Sequence, residues 1–259
     1  MLKKLKQIMS KDVNEQQIKS ENSRAVMLAK FGPFASVFNP TNPDVGHGYM
    51  SLLNLCDPSG TRLPCTLNQI HDAIDKGPPY HWVIALLEDP NWRPQLVGAM
   101  AALLSEYPAQ YIPILWQAID SGSWVTPQLV AAAKLIDMGF NDKAIERIEA
   151  GCPIIVPQNL TPIERHSATG PAGITGRSAK LMASLLAVCE AKGMRDWTQR
   201  MKERPSVVAL LLEDYDNSGE IASNWLNEVQ KLPGVRPVES TDYDEQALPI
   251  LRQQQNQES

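Results

Sequence analysis

A chain of 259 residues with 43% hydrophobic and 20% charged side chains is long enough and apolar enough to bury a substantial core, which excludes wholesale disorder. Its formal net charge of −5 opposes sequence-independent attraction to nucleic acid, because that attraction needs a positive surface to displace counterions. No window approaches the roughly eighteen uninterrupted apolar residues of a spanning helix, so no membrane span is expected.

Residues 1–22 place Leu2, Leu5, Ile8 and Met9 at helical spacing with lysines between them, which predicts a short amphipathic helix. The start is basic, but Lys11, Asp12 and Glu15 interrupt what would have to be an apolar signal core, so no secretion signal is read there. A second helix is expected from Arg24 to Phe38, broken or kinked at Gly32-Pro33. Residues 39–65 are dominated by turn formers such as Asn39-Pro40 and Pro58-Ser59-Gly60, with one regular element from Tyr49 to Leu55.

From Thr66 a helical grammar sets in. Thr66 with Gln69 three residues on reads as a capping box, Leu67, Ile70 and Ile74 share one helical face, and Gly77-Pro78-Pro79 stops the run. A helix from Tyr80 to Glu88 follows, ended by Asp89-Pro90. Two phrases then repeat, Trp92-Arg93-Pro94-Gln95-Leu96-Val97 and Trp124-Val125-Thr126-Pro127-Gln128-Leu129-Val130, with prolines 127 − 94 = 33 residues apart. Each opens an alanine-rich helix, from Pro94 toward Pro108 and from Thr126 as cap to Met138. Each is followed by a partner, Gln110 to Asp120 with Gly122 as terminator, and a helix capped by Asn141 that closes at Gly151. Alanines 99, 101, 102, 131, 132 and 133 let neighbouring backbones approach closely.

Between Cys152 and Gly176 the periodicity lapses. Pro153 to Pro157 reads as extended, Thr161-Pro162-Ile163-Glu164 as a helix start, and Gly170, Gly173 and Gly176 as a mobile loop. Helices resume from Ser178 to Lys192 and from Arg195 to Glu203. A last pair, Pro205 to Leu212 and Ile221 to Leu232, flanks Asp214 to Gly219. The chain thus divides into N-terminal helices and loop (1–56), a helical repeat array (57–151), an irregular loop (152–177), C-terminal helical repeats (178–232) and a polar tail (233–259). The expected fold class is all-α, an α-solenoid of stacked antiparallel helical hairpins.

This grammar resembles ankyrin repeats. Ile70-His71-Asp72-Ala73 with Gly77 is similar to the family's first helix, and Thr126-Pro127, Ala131-Ala132, and Gly139 through Glu149-Ala150-Gly151 are similar to its opening, its paired alanines and its closing helix. The hairpins after Pro94 and Pro127 are longer than that family's, and in this they resemble HEAT-type repeats. Either resemblance implies a surface that binds another protein; neither implies a reaction or a cofactor. Trp92 and Trp124, at the hairpin junctions, are the candidate binding anchors, since tryptophan is enriched at binding hot spots.

Three other constellations point to chemistry. Asp214-Tyr215-Asp216-Asn217-Ser218-Gly219-Glu220-Ile221 resembles the start of an EF-hand calcium loop, with Asp214, Asp216, Ser218 and Glu220 as candidate metal ligands, but Trp225 stands where the bidentate glutamate belongs. His47, His71 and Asp72, with Asp120 or Asp137 as a later partner, resemble HD-type metal phosphohydrolases, in which a divalent ion would activate water. Gly176-Arg177-Ser178 imitates the end of a phosphate-binding loop, but Pro171 replaces its first glycine and Arg177 its lysine, so Ser178 is expected to cap the next helix. Cys56, Cys65, Cys152 and Cys189 fit neither a zinc knuckle nor a disulfide framework, and read as buried free thiols of a cytoplasmic protein.

Overall fold

The computed structural model describes residues 25–38, 47–57, 60–77, 79–155, 173–191 and 193–236. The expected helix at 1–22, the helix start at Thr161 and the polar end of the tail lie outside them. Among the described residues every regular element is helical. The main helices are α1 (Arg62–Asp75), α2 (Tyr80–Glu88), α3 (Trp92–Leu104), α4 (Ile112–Asp120), α5 (Thr126–Ile136), α6 (Phe140–Glu149), α7 (Gly173–Ala191), α8 (Arg195–Lys202), α9 (Pro205–Leu211) and α10 (Ser218–Val229). Before them, residues 25–31 are helical, Gly32–Phe34 tighten into a 3-10 turn at the expected kink, and Gly48–Leu52 form a second 3-10 turn.

The arrangement follows from burial. In α3 every residue from Pro94 to Leu104 is buried, and in α5 every residue but Lys134. Helices apolar on all sides have no solvent face and must be covered on both flanks. Accordingly α3 packs against α1, α2 and α5, α5 against α3, α4, α7 and α10, and α7 against α5, α6, α8, α9 and α10. A row of inner helices, α3–α5–α7, therefore lies between neighbours on both sides. One hydrophobic cluster runs through it from Phe31 to Val235.

Small residues set the spacing. Alanines 99, 101, 102, 131, 132 and 133 are all fully buried. Gly98 brings α3 close to α2 as well, since an added Cβ there would lie 3.0 Å from Leu86 and Leu87. Two long-range bonds fasten the segment around Leu52 and Leu53 to α5 and α10: Gln128 Nε2 donates to the Leu53 carbonyl at 2.8 Å, and Trp225 Nε1 to the Leu52 carbonyl at 2.8 Å.

Several element starts differ from the sequence reading. Helix α1 begins at Arg62, and Thr66 is an interior residue whose hydroxyl donates to the Arg62 carbonyl. The Asp57 carboxylate, six residues upstream of Leu63, accepts the Leu63 N–H at 2.9 Å, so the end is served from the preceding loop. Helix α3 begins at Trp92, capped by the Asn91 side chain, with Pro94 at its third position. The cap of α5 is Val125, while Thr126 donates its hydroxyl back to the Ser123 carbonyl, and Asn141 lies inside α6 rather than before it. Helix α7 takes in Gly173, Gly176 and Ser178, so the residues read as loop and cap belong to its first two turns.

Candidate functional site

Helices α3 and α5 are neighbours whose first turns meet, because α4 returns the chain between them to the same end of the row. That geometry turns the repeated phrase into a contact. Trp92 opens α3 and Trp124 sits in the turn before α5, and their ring centroids are 4.9 Å apart at 51°. Trp92 is half-buried against the core, whereas Trp124 is 56% exposed although both its chain neighbours, Ser123 and Val125, are buried. The first tryptophan is a pillar and the second a platform.

Other residues complete the ledge. Tyr49, buried in the 3-10 turn, meets Trp92 edge-on at 5.9 Å, and exposed His47 stacks on Tyr49 at 5.2 Å. The Arg93 guanidinium lies 4.6 Å from the Trp92 ring centroid and 6.0 Å from that of Tyr49, and its Nε donates to the Tyr49 hydroxyl at 3.0 Å. From α7, the Lys180 ammonium lies 5.7 Å over Trp124, donates to the Trp124 carbonyl at 3.4 Å and pairs with Asp216 at 2.8 Å. Cations over indole faces are attracted by the ring quadrupole. Arg177 donates to the Ser121 carbonyl beside them, and burial pulls its pKa below the usual guanidinium value.

The candidate metal ligands make contacts of their own. Asp214 caps α10, accepting from the Ser218 N–H at 2.8 Å and the Ser218 hydroxyl at 2.6 Å. Asp216 is bound to Lys180, and Glu220 is exposed on α10. Trp225, at the position a calcium loop reserves for glutamate, is buried in the core. His47 reaches the Phe38 carbonyl at 3.2 Å, His71 packs beside Gly234, and Asp72 is exposed. Asp120 is held by Arg147 in two 2.7 Å bonds, and Asp137 by Trp116 Nε1, Lys143 and the Gly139 N–H. Among the described residues no group of three or more His, Cys, Asp or Glu is placed to hold a metal ion.

An open cleft of about 300 Å³ lies between α7 and the α9–α10 turn, lined by residues including Leu186, Lys202, Asp214 and Glu220, and its lining has no histidine, cysteine or hydroxyl nucleophile. All four thiols are free, but Cys56 and Cys65 are exposed, contrary to the expectation that all are buried. Desolvation pushes the Cys152 thiol up to about 12 and the Cys189 thiol up to about 11, the first partly offset by Arg147. Among the described residues no helix is long and apolar enough to cross a membrane. Comparison with protein-family models, with characterised proteins and with solved structures gave no match.

Proposed function

We propose that the chain is a non-enzymatic protein-binding module, an adaptor, inhibitor or toxin-neutralising partner, whose inner helices α3 and α5, each followed in the chain by an outer helix (α4 and α6), are successive units of an ankyrin-like or HEAT-like α-solenoid. The observation that carries this reading is the contact of Trp92 with Trp124, which makes the repeat period a surface feature. A half-exposed indole held on a buried turn is rigid before it binds, so covering it costs little ordering entropy. Covering it would contribute about 2–3 kcal/mol from apolar area alone. The net charge of −5 favours a protein over a nucleic acid as partner. Four free cysteines agree with a reducing, cytoplasmic setting.

Site-specific cross-linking tests the proposal. A photoreactive phenylalanine analogue is placed at 124, and in a control at exposed residue 149, in the cell that makes the protein. The reading requires a protein adduct at 124 that 149 does not give. Equal or absent adducts at both positions reject it.

A further inference from the structure

We infer that the ledge takes a short peptide segment in which an acidic side chain stands beside a large aromatic or aliphatic one. This rests on the protein-binding reading above and names the chemistry of the partner.

Two arginines in the molecule stack on tryptophan rings. Arg147 lies 4.2 Å over the Trp116 ring, and its Nε and Nη2 both donate to the Asp120 carboxylate. Arg93 repeats the stacked arrangement over Trp92 at 4.6 Å, but its Nε is taken by the Tyr49 hydroxyl and it makes no ion pair with a carboxylate among the described residues. The indole face and the tyrosine hydroxyl hold a normally flexible side chain in one orientation while it stays exposed. Its two terminal nitrogens form a fork suited to a carboxylate, and a bound partner can supply one.

The backbone adds the same sign of field without competing for the ligand. Helices α3 and α5 both present their N-terminal ends at the ledge, where helix dipoles favour negative charge. The Arg93 N–H is already capped by Asn91 and Pro94 has none, so the guanidinium is the charged donor offered to an anion.

Spacing sets the second half of the motif. The guanidinium and the Trp124 ring flank the same Trp92 ring, at 4.6 and 4.9 Å, so they lie within about 10 Å of each other. Side chains i and i+2 of an extended peptide stand roughly 7 Å apart and span that gap. A polyanionic strand fits poorly, since it needs a run of cations. Past Trp124 the next cation, Lys180, is already paired with Asp216.

The test is selection of a displayed random dodecapeptide library on the full chain and on Arg93→Gln, Arg93→Lys and Trp124→Ser, each checked by circular dichroism for a native spectrum and a cooperative melt. The wild type is expected to enrich Asp or Glu one or two positions from Trp, Phe, Tyr, Leu or Ile. The best synthetic peptide should bind about 10- to 100-fold more weakly to Arg93→Gln, and about 30-fold or more weakly to Trp124→Ser. Arg93→Lys should lose several-fold, because a point charge replaces the fork. Changing the peptide's acid to its amide should weaken wild-type binding and leave binding to Arg93→Gln unchanged. Peptides that need Trp124 but neither an acid nor Arg93 overturn this inference and leave the protein-binding reading standing. Recovery of no Trp124-dependent peptide overturns both. So does tighter binding, in 150 mM salt, of a fluorescein-labelled dodecathymidylate that Arg93→Gln abolishes.

Discussion

Trp124 and Trp225 are the same side chain in opposite circumstances, one 56% exposed and one 1% exposed. Removing the first should therefore affect recognition far more than folding: Trp124→Ala is expected to cost only about 0.5–1.5 kcal/mol, the worth of its ring contact with Trp92, and to lower the melting temperature by no more than about 6 °C. The thiols divide in a similar way. Ellman's reagent should titrate Cys56 and Cys65 within seconds, and Cys152 and Cys189 only when the chain is unfolded. Because burial raises the two inner thiols from 9.0 to about 12 and about 11, the unfolded chain loses those protons first. Their contribution to stability is complete below about pH 9 and is lost as pH rises toward 11 and 12. Urea unfolding of Cys152→Ala should accordingly show a shallower fall in stability between pH 9 and 11 than wild type does. At this scale the sequence named both tryptophans of the ledge but not Tyr49, Arg93 or Lys180. Arg93 meets Tyr49 across 44 positions and Lys180 meets Trp124 across 56, and no local pattern encodes such pairings.

Element boundaries were legible where covalent geometry alone dictates them. Helix α2 runs from Tyr80 to Glu88, as read, because prolines stand on both sides of it. Helix α1 starts five residues before the position its capping pattern predicts, because its end is served by Asp57, which lies outside any capping window, while Thr66 and Gln69 imitate a cap in mid-helix. The glycines at the start of α7 looked like loop because propensity penalises glycine in a helix, and packing on α5 and α10 overrides that penalty. Gly32 was read as a break for a reason the structure sharpens. Its φ is +52°, and an added Cβ would lie 2.5 Å from the Trp82 ring. Gly32→Ala is expected to cost about 2–4 kcal/mol, measured by urea unfolding, through backbone strain and the displaced indole together.

At the scale of the whole molecule, sequence periodicity found the inner helices but could not say what lies against them. Helix α10 covers α5 and α7, and Gly48–Leu52 covers α3. These are non-local pairings, in which Trp225 reaches Leu52 across 173 positions. Trp225→Phe keeps an aromatic ring in the core but removes three ring atoms and leaves the buried Leu52 carbonyl without its donor. A loss of about 1–3 kcal/mol is expected, a drop of roughly 2–12 °C in melting temperature by calorimetry. A chain cut after residue 216 should retain helical circular dichroism, bind a hydrophobic dye and lose its cooperative melt, because one flank of α5 and α7 is then open.

The placement of α10 also governs how the protein emerges from the ribosome. Helices α3 and α5 leave the exit tunnel with apolar residues on every side, and the segment that shields α5 is translated on the order of ten seconds later. For that interval the nascent chain carries one greasy rod, α5, with a side bare, and a ribosome-associated chaperone is expected to hold it.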